Sequence, residues 1–401
     1  MRGPACVIMV ENLPVPFDRR VWQEACALRD AGWTVSVICP QTEKYPKAFE
    51  MLDDIAIYRH PLTEANTKIA FAREYATALF HEFRLLVKVW RERGFDVIQA
   101  CNPPDLLFLT ALPFKLLGKK FIFDHHDISP ELFAVKFGSK GLIHRVLGWL
   151  ERLTFKSADL VISTNETFRD IAINRGGKDP DDVVTVYSVP DVSRIRRVKP
   201  DEELKAKKPV LLGYLGIIND QDGVDHIVRA VHHMKHELGV SDVHTVVVGD
   251  GPALPSVKAL AAELGVEEDI TFTGYLSGDK LLATLSSFDI GIIPDPPNEY
   301  NHKISMNKVF EYSALGIPIV AYNLGETRRL LGEKLAAAST DDPAGLARAV
   351  CDLVRDENKR HDLGRAAAEI ARRNFSWDRE ADKLVGAYGR LVPATAELAR
   401  A

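Results

Sequence analysis

The chain has 401 residues, 46% of them hydrophobic, and a formal charge of −5, which is enough apolar material for two or three domains with cores of their own. Residues 1–200 carry 28 Lys and Arg against 25 Asp and Glu, and the remainder carry 23 against 31. The basic bias of the first half fits an anionic surface better than nucleic acid, for which no Arg-rich stripe interleaved with aromatics is present.

The five cysteines (Cys6, Cys26, Cys39, Cys101, Cys351) lie mostly in apolar runs, which reads as reduced core thiols and gives no metal-ligand spacing. The opening MRGPACVIMVEN is too short in apolar residues for a signal peptide, and no run reaches the roughly 18 apolar residues of a spanning helix. The expectation is a cytoplasmic protein, peripheral to a membrane at most.

Ala5–Val10 is a continuous apolar run, as in a strand buried on both faces. After the loop ENLPVPFD, Val21, Trp22, Ala25 and Leu28 recur at helical spacing over Arg19–Ala31, and Gly32 ends the helix. A second strand over Trp33–Cys39 makes this a parallel βαβ unit, without the GxGxxG of a dinucleotide site. Arg19 and Arg20 open the helix as phosphate candidates, against a surface pairing with Asp18 or Glu24.

The alternation continues. Strands are predicted over Ile55–His60, Asp96–Ala100 and Lys120–Asp124, with a long helix over Lys68–Arg93 and another through Leu117. The third of these strands ends in His125-His126-Asp127-Ile-Ser-Pro-Glu131, a polar cluster where open α/β sheets place their ligands. Adjacent histidines diverge and no further ligand is suitably spaced, so a metal is not indicated; a structural or a functional histidine remain the choices. Ser139–Lys156 mixes Leu, Ile, Trp and Phe with Lys and Arg. Its apolar side is expected to face the core, with an anionic membrane as the other reading. Asp159–Thr164 and Val183–Tyr187 complete a first sheet, and the polar stretch 191–208 reads as a linker.

The pattern then restarts, with strands at Val210–Leu215, Val243–Val248, Ile270–Phe272 and Asp289–Ile293 and helices between them. It leads to HKISMNKVFEYSALGIPIVAYN, residues 302–323. There Ser305 or Asn307 can cap a short helix, Gly316 can close it in the left-handed region, and Pro318 stops its continuation. Met306, Val309, Phe310, Ser313 and Ala314 share a buried face; Asn307, Lys308 and Glu311 fall on the other. Lys308 in a first turn is unfavourable unless an anion is near. A phosphate held by His302, Lys303 and Lys308, or an exposed salt bridge between Lys308 and Glu311, accounts for it.

This last stretch resembles the donor-binding helix of retaining glycosyltransferases of family 4: a polar loop, a Lys, a Glu three residues on, and a tail ending G-x-P-V-V-A, here Lys308, Glu311 and GIPIVA. GDGP (249–252), FTGYL (272–276) and DIGIIP (289–294) extend the resemblance over nearly the whole chain. Three departures stand out. Lys303 replaces a Glu found in many members, and Pro14 and Pro16 replace glycines of the first loop. Gly216-Ile-Ile-Asn-Asp-Gln-Asp222-Gly223 replaces G-R…K-G, so the Arg and Lys that clamp the diphosphate are missing.

The resemblance implies the α/β GT-B fold, with two Rossmann-like doubly wound parallel-sheet domains facing a cleft. Residues 1–190 would form the acceptor-side domain, 191–208 the linker and 209–375 the nucleotide-sugar domain, with 376–401 as a helix crossing back to the first. It further implies sugar transfer from a nucleotide-diphosphate sugar to a hydroxyl acceptor with retention, in surface polysaccharide or lipid-linked glycan synthesis, with no obligatory cofactor or metal. Partners would be the nucleotide sugar, a glycan or lipid-linked acceptor, and the inner face of the membrane as a peripheral contact. The implied catalytic residues are His126, Asp127 and Lys308. Gly216, Tyr275, Lys303, Ser305, Asn307, Lys308 and Glu311 would bind the donor, Glu311 at the ribose and Tyr275 at the base. Arg19, Arg20 and His125 are acceptor or phosphate candidates. Two other readings are a catalytically weak subunit that partners another enzyme, suggested by the missing clamp, and a nucleotide-sugar epimerase.

Overall fold

The computed structural model describes residues 3–61, 68–138, 140–191 and 195–392. The chain forms two compact units: Met1–Ser188 with Asp378–Ala401, and Val189–Trp377.

The first unit is built on eight strands: β1 (Ala5–Val10), β2 (Thr34–Pro40), β3 (Phe49–Leu52), β4 (Ile55–His60), β5 (Val97–Cys101), β6 (Lys120–His125), β7 (Leu160–Ser163) and β8 (Val183–Thr185). Their order is β3-β4-β2-β1-β5-β6-β7-β8. All neighbours pair in parallel except β3 and β4. The expected parallel sheet is thus present, with a single antiparallel pair at its edge. FEML alternates exposed and half-buried residues, which suits an antiparallel edge strand reached by a tight turn through Asp53 and Asp54, both at positive φ.

β1 and β5 are buried at every position, as expected of central parallel strands covered by helices on both faces. The apolar core on one face joins Leu86 and Val89 of the Lys68–Glu92 helix to Phe114, Phe121 and Phe155. The helix Trp377–Leu391 closes the unit: Tyr388 meets Trp33 edge-on at 5.1 Å and its hydroxyl donates to Gln99 Oε1 on β5.

The second unit holds β9 (Val210–Leu215), β10 (Val243–Val248), β11 (Ile270–Gly274), β12 (Ile290–Ile293), β13 (Ile319–Ala321) and β14 (Ala336–Ala337). They pair in parallel in the order β11-β10-β9-β12-β13-β14. The stretch read as a linker has structure of its own. Glu202–Lys205 is a helical turn capped by Asp201, and Arg197 donates to the carbonyls of Leu315 and Ser286. Arg194 lies outside the described residues.

Both units carry the polar loops at the carboxyl ends of their strands, where a doubly wound sheet binds ligands. Glycine is required at two of these loops. Gly223 has φ +70° and a Cβ there would lie 2.4 Å from the Pro294 carbonyl oxygen; a Cβ on Gly249 would lie 1.8 Å from that of Gly216. The loops after β9, β10 and β12 are thus packed backbone to backbone.

Candidate functional site

In the first unit the site grows from the end of β6. Asp124 is fully buried there, and its Oδ2 lies 2.6 Å from His126 Nε2 and accepts from Gln99 Nε2 at 2.9 Å. Arg20 Nη2 donates to Asp124 Oδ1 at 3.0 Å. Burial alone would raise the Asp124 pKa, but the charges of Arg20 and His126 overcome it and hold the carboxyl well below its usual range. His126 is affected in the opposite sense: burial lowers its pKa, and Asp124 raises it further than that.

An ionised Asp124 requires the His126 proton on Nε2. Arg20 Nε lies 2.9 Å from that same nitrogen and 3.0 Å from Glu24 Oε1, so the guanidinium sits between the imidazole and a second carboxyl. Nδ1 is the His126 nitrogen that Asp124 does not engage. Glu24 is buried too, and burial followed by the Asp124 charge pushes its pKa to about 8 despite Arg20.

Asn102 fixes the loop. Its Oδ1 accepts from the His126 and Asp127 amides at 2.7 and 3.1 Å, and its Nδ2 donates to Asp105 and to the Asp127 carbonyl. Sequence reasoning passed over Asn102, although an Asn opening a Pro-Pro turn opposite a strand end is a signal for such a clamp.

Two expectations change. Arg20 is not open to phosphate: it is buried and committed to Asp124, Glu24, the Val186 carbonyl and Ser188 Oγ, because a buried carboxylate needs a counter-charge. His125 is a packing residue, fully buried among Phe123, Phe155 and Phe168, with its pKa driven down to about 3 by burial and by Arg175. Arg19, one position before Arg20, is exposed. Donor atoms of Cys101, Asp124 and His126 lie within 4.8 Å of one another, but the Arg20 guanidinium against Asp124 would oppose a cation there.

In the second unit the helix Asn307–Ala314 follows the expected segment, and Gly316 takes φ +64° just beyond it. The cap differs. Met306 is the N-cap and no side chain caps the helix; Asn307 is exposed, and Ser305 Oγ is buried without a partner. Lys308 and Glu311, expected on an exposed face, are 9% and 7% exposed.

Within the chain, the carboxylate that pairs with Lys308 is Asp295. Lys308 Nζ donates to Asp295 Oδ2 at 2.8 Å and stands 5.0 Å over the Tyr214 ring. Burial works against the ammonium, yet Asp295 raises its pKa beyond the ordinary value. Tyr312 locks this helix to β9, accepting from the Leu215 amide at 2.9 Å and donating to the Gly213 carbonyl at 3.2 Å.

Gly216 sits where a Cβ would come 2.8 Å from Tyr214 Oη. Asp222, at the position where the family pattern has Lys, accepts from the Asn219 amide at 2.9 Å and adds a second carboxylate near Lys308. Tyr275 is 56% exposed and Lys303 half-buried, while His302 Nδ1 accepts from the Gly325 amide at 3.2 Å.

The family pattern described as "Glycosyl transferase 4-like domain" matches residues 18–188, and that described as "Glycosyl transferases group 1" matches residues 209–356. Together they take in about four-fifths of the chain. The chain belongs to the group 1 glycosyltransferases, of family 4 type.

It is 27% identical over 267 residues to the D-inositol 3-phosphate glycosyltransferase of Salinispora tropica, a match covering 62% of this chain and 54% of that one. The matched part thus spans about half the length of that relative. Among solved structures it is similar to the sucrose-phosphate synthase of Thermosynechococcus elongatus, with a TM-score of 0.78, 16% identity, and 97% and 99% of the two chains covered. HepE of Anabaena, solved with UDP and glucose, gives a TM-score of 0.73 at 15% identity over 96% of this chain and all of that one. At such identities the likeness speaks for the fold, which is GT-B.

Proposed function

We propose that this glycosyltransferase moves a sugar from a nucleoside-diphosphate sugar to a hydroxyl acceptor with retention at the anomeric carbon. The observation that carries the reading is the buried helix Asn307–Ala314, which carries Lys308 and Glu311 and is locked by Tyr312 to the end of β9, whose loop packs on the one after β10. A pyrophosphate close to backbone amides at loop and helix starts is held mainly by their dipoles. Glu311 holds the ribose, Tyr275 the base, and Gly216, Ser305, Asn307 and Lys303 line the donor. HepE, solved with UDP and glucose, supports a donor of this class.

In the transfer, the bond from sugar C1 to the phosphate oxygen breaks and the acceptor oxygen bonds C1 on the same face. The acceptor proton passes to the leaving diphosphate. The pair with Asp295 offsets the charge of Lys308, so Lys303 carries more of the task of meeting the leaving group than the usual clamp would leave it. His126 accepts a sugar hydroxyl at Nδ1, with Asp127 beside it. The acceptor is a polyol or glycan hydroxyl, in keeping with the inositol phosphate of the Salinispora relative's name. Its setting is surface-polysaccharide or lipid-linked glycan assembly on the cytoplasmic side.

A second reading has one observation in its favour. With Asp295 and Asp222 both near Lys308, the second unit sets two carboxylates where a diphosphate needs cations. That suits a subunit with weak donor affinity.

Thermal stabilisation by UDP, GDP, ADP and their sugars separates the two. A ligand specific for the folded state adds about 2.7 kcal/mol at a hundredfold excess over its Kd. One nucleotide that stabilises the wild type but not Glu311→Ala supports the transferase and names its donor. No shift with any nucleotide supports the weak subunit.

A further inference from the structure

We propose that the first unit docks on an anionic lipid surface through the outward face of its Leu142–Ser157 helix and the helices beside it. Of the eighteen large hydrophobic side chains exposed among the described residues, twelve fall between Phe80 and Trp149 and only two in the second unit. Apolar exposure is therefore concentrated, and monomeric proteins rarely carry such a patch without a use for it.

The helix is turned opposite to expectation. Leu142, Val146 and Trp149, spaced i, i+4 and i+7, form a stripe that is 69%, 44% and 59% exposed, while the side against the core is Glu151, Thr154 and Phe155. The reading of Ser139–Lys156 as a helix with its apolar side inward is corrected accordingly; Ser139 itself lies outside the described residues. The inward side is polar because Glu151 takes Arg175 at 2.6 Å, and Thr154 donates to the Asp105 carbonyl at 2.8 Å. Core-facing positions are thus spent on fixing neighbouring loops. The helix packs on Ser129–Phe137 and on Phe108–Leu116, which contribute Phe137 and Leu116, 55% and 90% exposed.

Charge chooses the occupant. Lys136, Lys140, Arg145, Arg152 and Lys156 are all exposed around the stripe. Between residues 132 and 157 the sole acid is Glu151, which is buried and paired. Apolar side chains that enter the headgroup boundary, ringed by Lys and Arg that meet lipid phosphates, describe an interfacial helix. Protein interfaces are instead depleted in Lys. No helix among the described residues is long and apolar enough to cross a membrane, so the contact is with the surface.

The test is sedimentation of the full chain with vesicles of phosphatidylcholine alone or mixed with phosphatidylglycerol, with no donor or acceptor present; its outcome is independent of the transfer reading. The expected result is binding to the anionic vesicles, at least tenfold weaker on phosphatidylcholine alone and weaker in high salt. Leu142→Ser/Val146→Ser/Trp149→Ser and Arg145→Gln/Arg152→Gln/Lys156→Gln should each reduce partitioning at least tenfold with an unchanged Tm, since these side chains face solvent. Absence of binding, equal binding to both vesicles, or wild-type binding by either variant overturns the proposal. So does a dimer in light scattering that the first triple variant dissociates, because a second copy would then cover the stripe.

Discussion

Asp124 Oδ2 lies 2.6 Å from His126 Nε2, and with Asp124 ionised that contact places a proton on this imidazole nitrogen. It also ties the protonation of the site to the stability of the first unit. The Asp124 pKa is depressed on folding, so its contribution is complete above the ordinary carboxyl pKa of about 4 and is lost as pH falls below it. The His126 pKa is raised, so its contribution is complete below about 6.5 and is lost as pH climbs through the folded value. Asp124→Asn should lower the His126 pKa, read by NMR titration of the ring, and cost about 3–5 kcal/mol in urea unfolding, because Arg20 keeps its charge and loses its principal partner. An unchanged His126 titration would remove Asp124 from the account of the site.

Glu24 gives a trend opposite in sign to that of Asp124. With a folded pKa of about 8 it binds a proton that the unfolded chain releases near 4.5, so stability falls as pH rises between those values. Glu24→Gln, which keeps the group neutral, should flatten that part of the Tm-against-pH curve. A curve that retains its full slope in the variant would mean that Glu24 is ionised in the folded protein.

Lys308 and Asp295 should behave as a couple. Removing either alone leaves a buried charge and should cost about 3 kcal/mol, whereas Lys308→Met with Asp295→Leu should recover 0.5–3 kcal/mol of the summed loss, roughly the range for groups in contact. Urea unfolding of the four proteins measures this. Nucleotide-induced stabilisation of the same set then separates support of the fold from binding of the donor. Strict additivity would deny the pair.

Tyr388→Phe removes the donor to Gln99 Oε1 and leaves a buried acceptor unpaired, at a cost of about 1–3 kcal/mol. Gln99 also donates to Glu24 and Asp124 at 2.7 and 2.9 Å, so a change far along the chain should shift the His126 titration slightly. A stability loss with no such shift would show that the amide holds its place without the tyrosine.

Much of this architecture was legible in the sequence. Ala5–Val10 and Val210–Leu215 are apolar runs that become strands with the expected bounds, because a strand buried on both faces has few polar positions to blur its ends, and Ile55–His60 and Val243–Val248 keep theirs although they carry Arg59, His60, His244 and Thr245. The left-handed Gly316 was equally legible, since glycine before a proline stop has few other uses. What escaped was pairing at a distance. The partner of Lys308 is thirteen residues upstream, and that of Arg20 over a hundred residues downstream. A periodicity argument sees only i+3 and i+4. β3 escaped because an edge strand with one wet side carries no continuous apolar run. The Leu142–Ser157 helix was turned the wrong way because periodicity finds a stripe without saying what it faces.

The Tyr388–Gln99 hydrogen bond spans 289 residues of sequence. Chains leave the ribosome N-terminal end first at about 5–20 residues per second, so Gln99 emerges roughly 15–60 s before its partner exists. The second unit, contiguous over Val189–Trp377, has all its residues by then and can reach its native state while the first still lacks a helix. The order of completion on the ribosome is therefore the reverse of the order of synthesis. A stop codon anywhere after Trp377 and before Tyr388 would release a chain whose second unit is whole and whose first unit has an open flank.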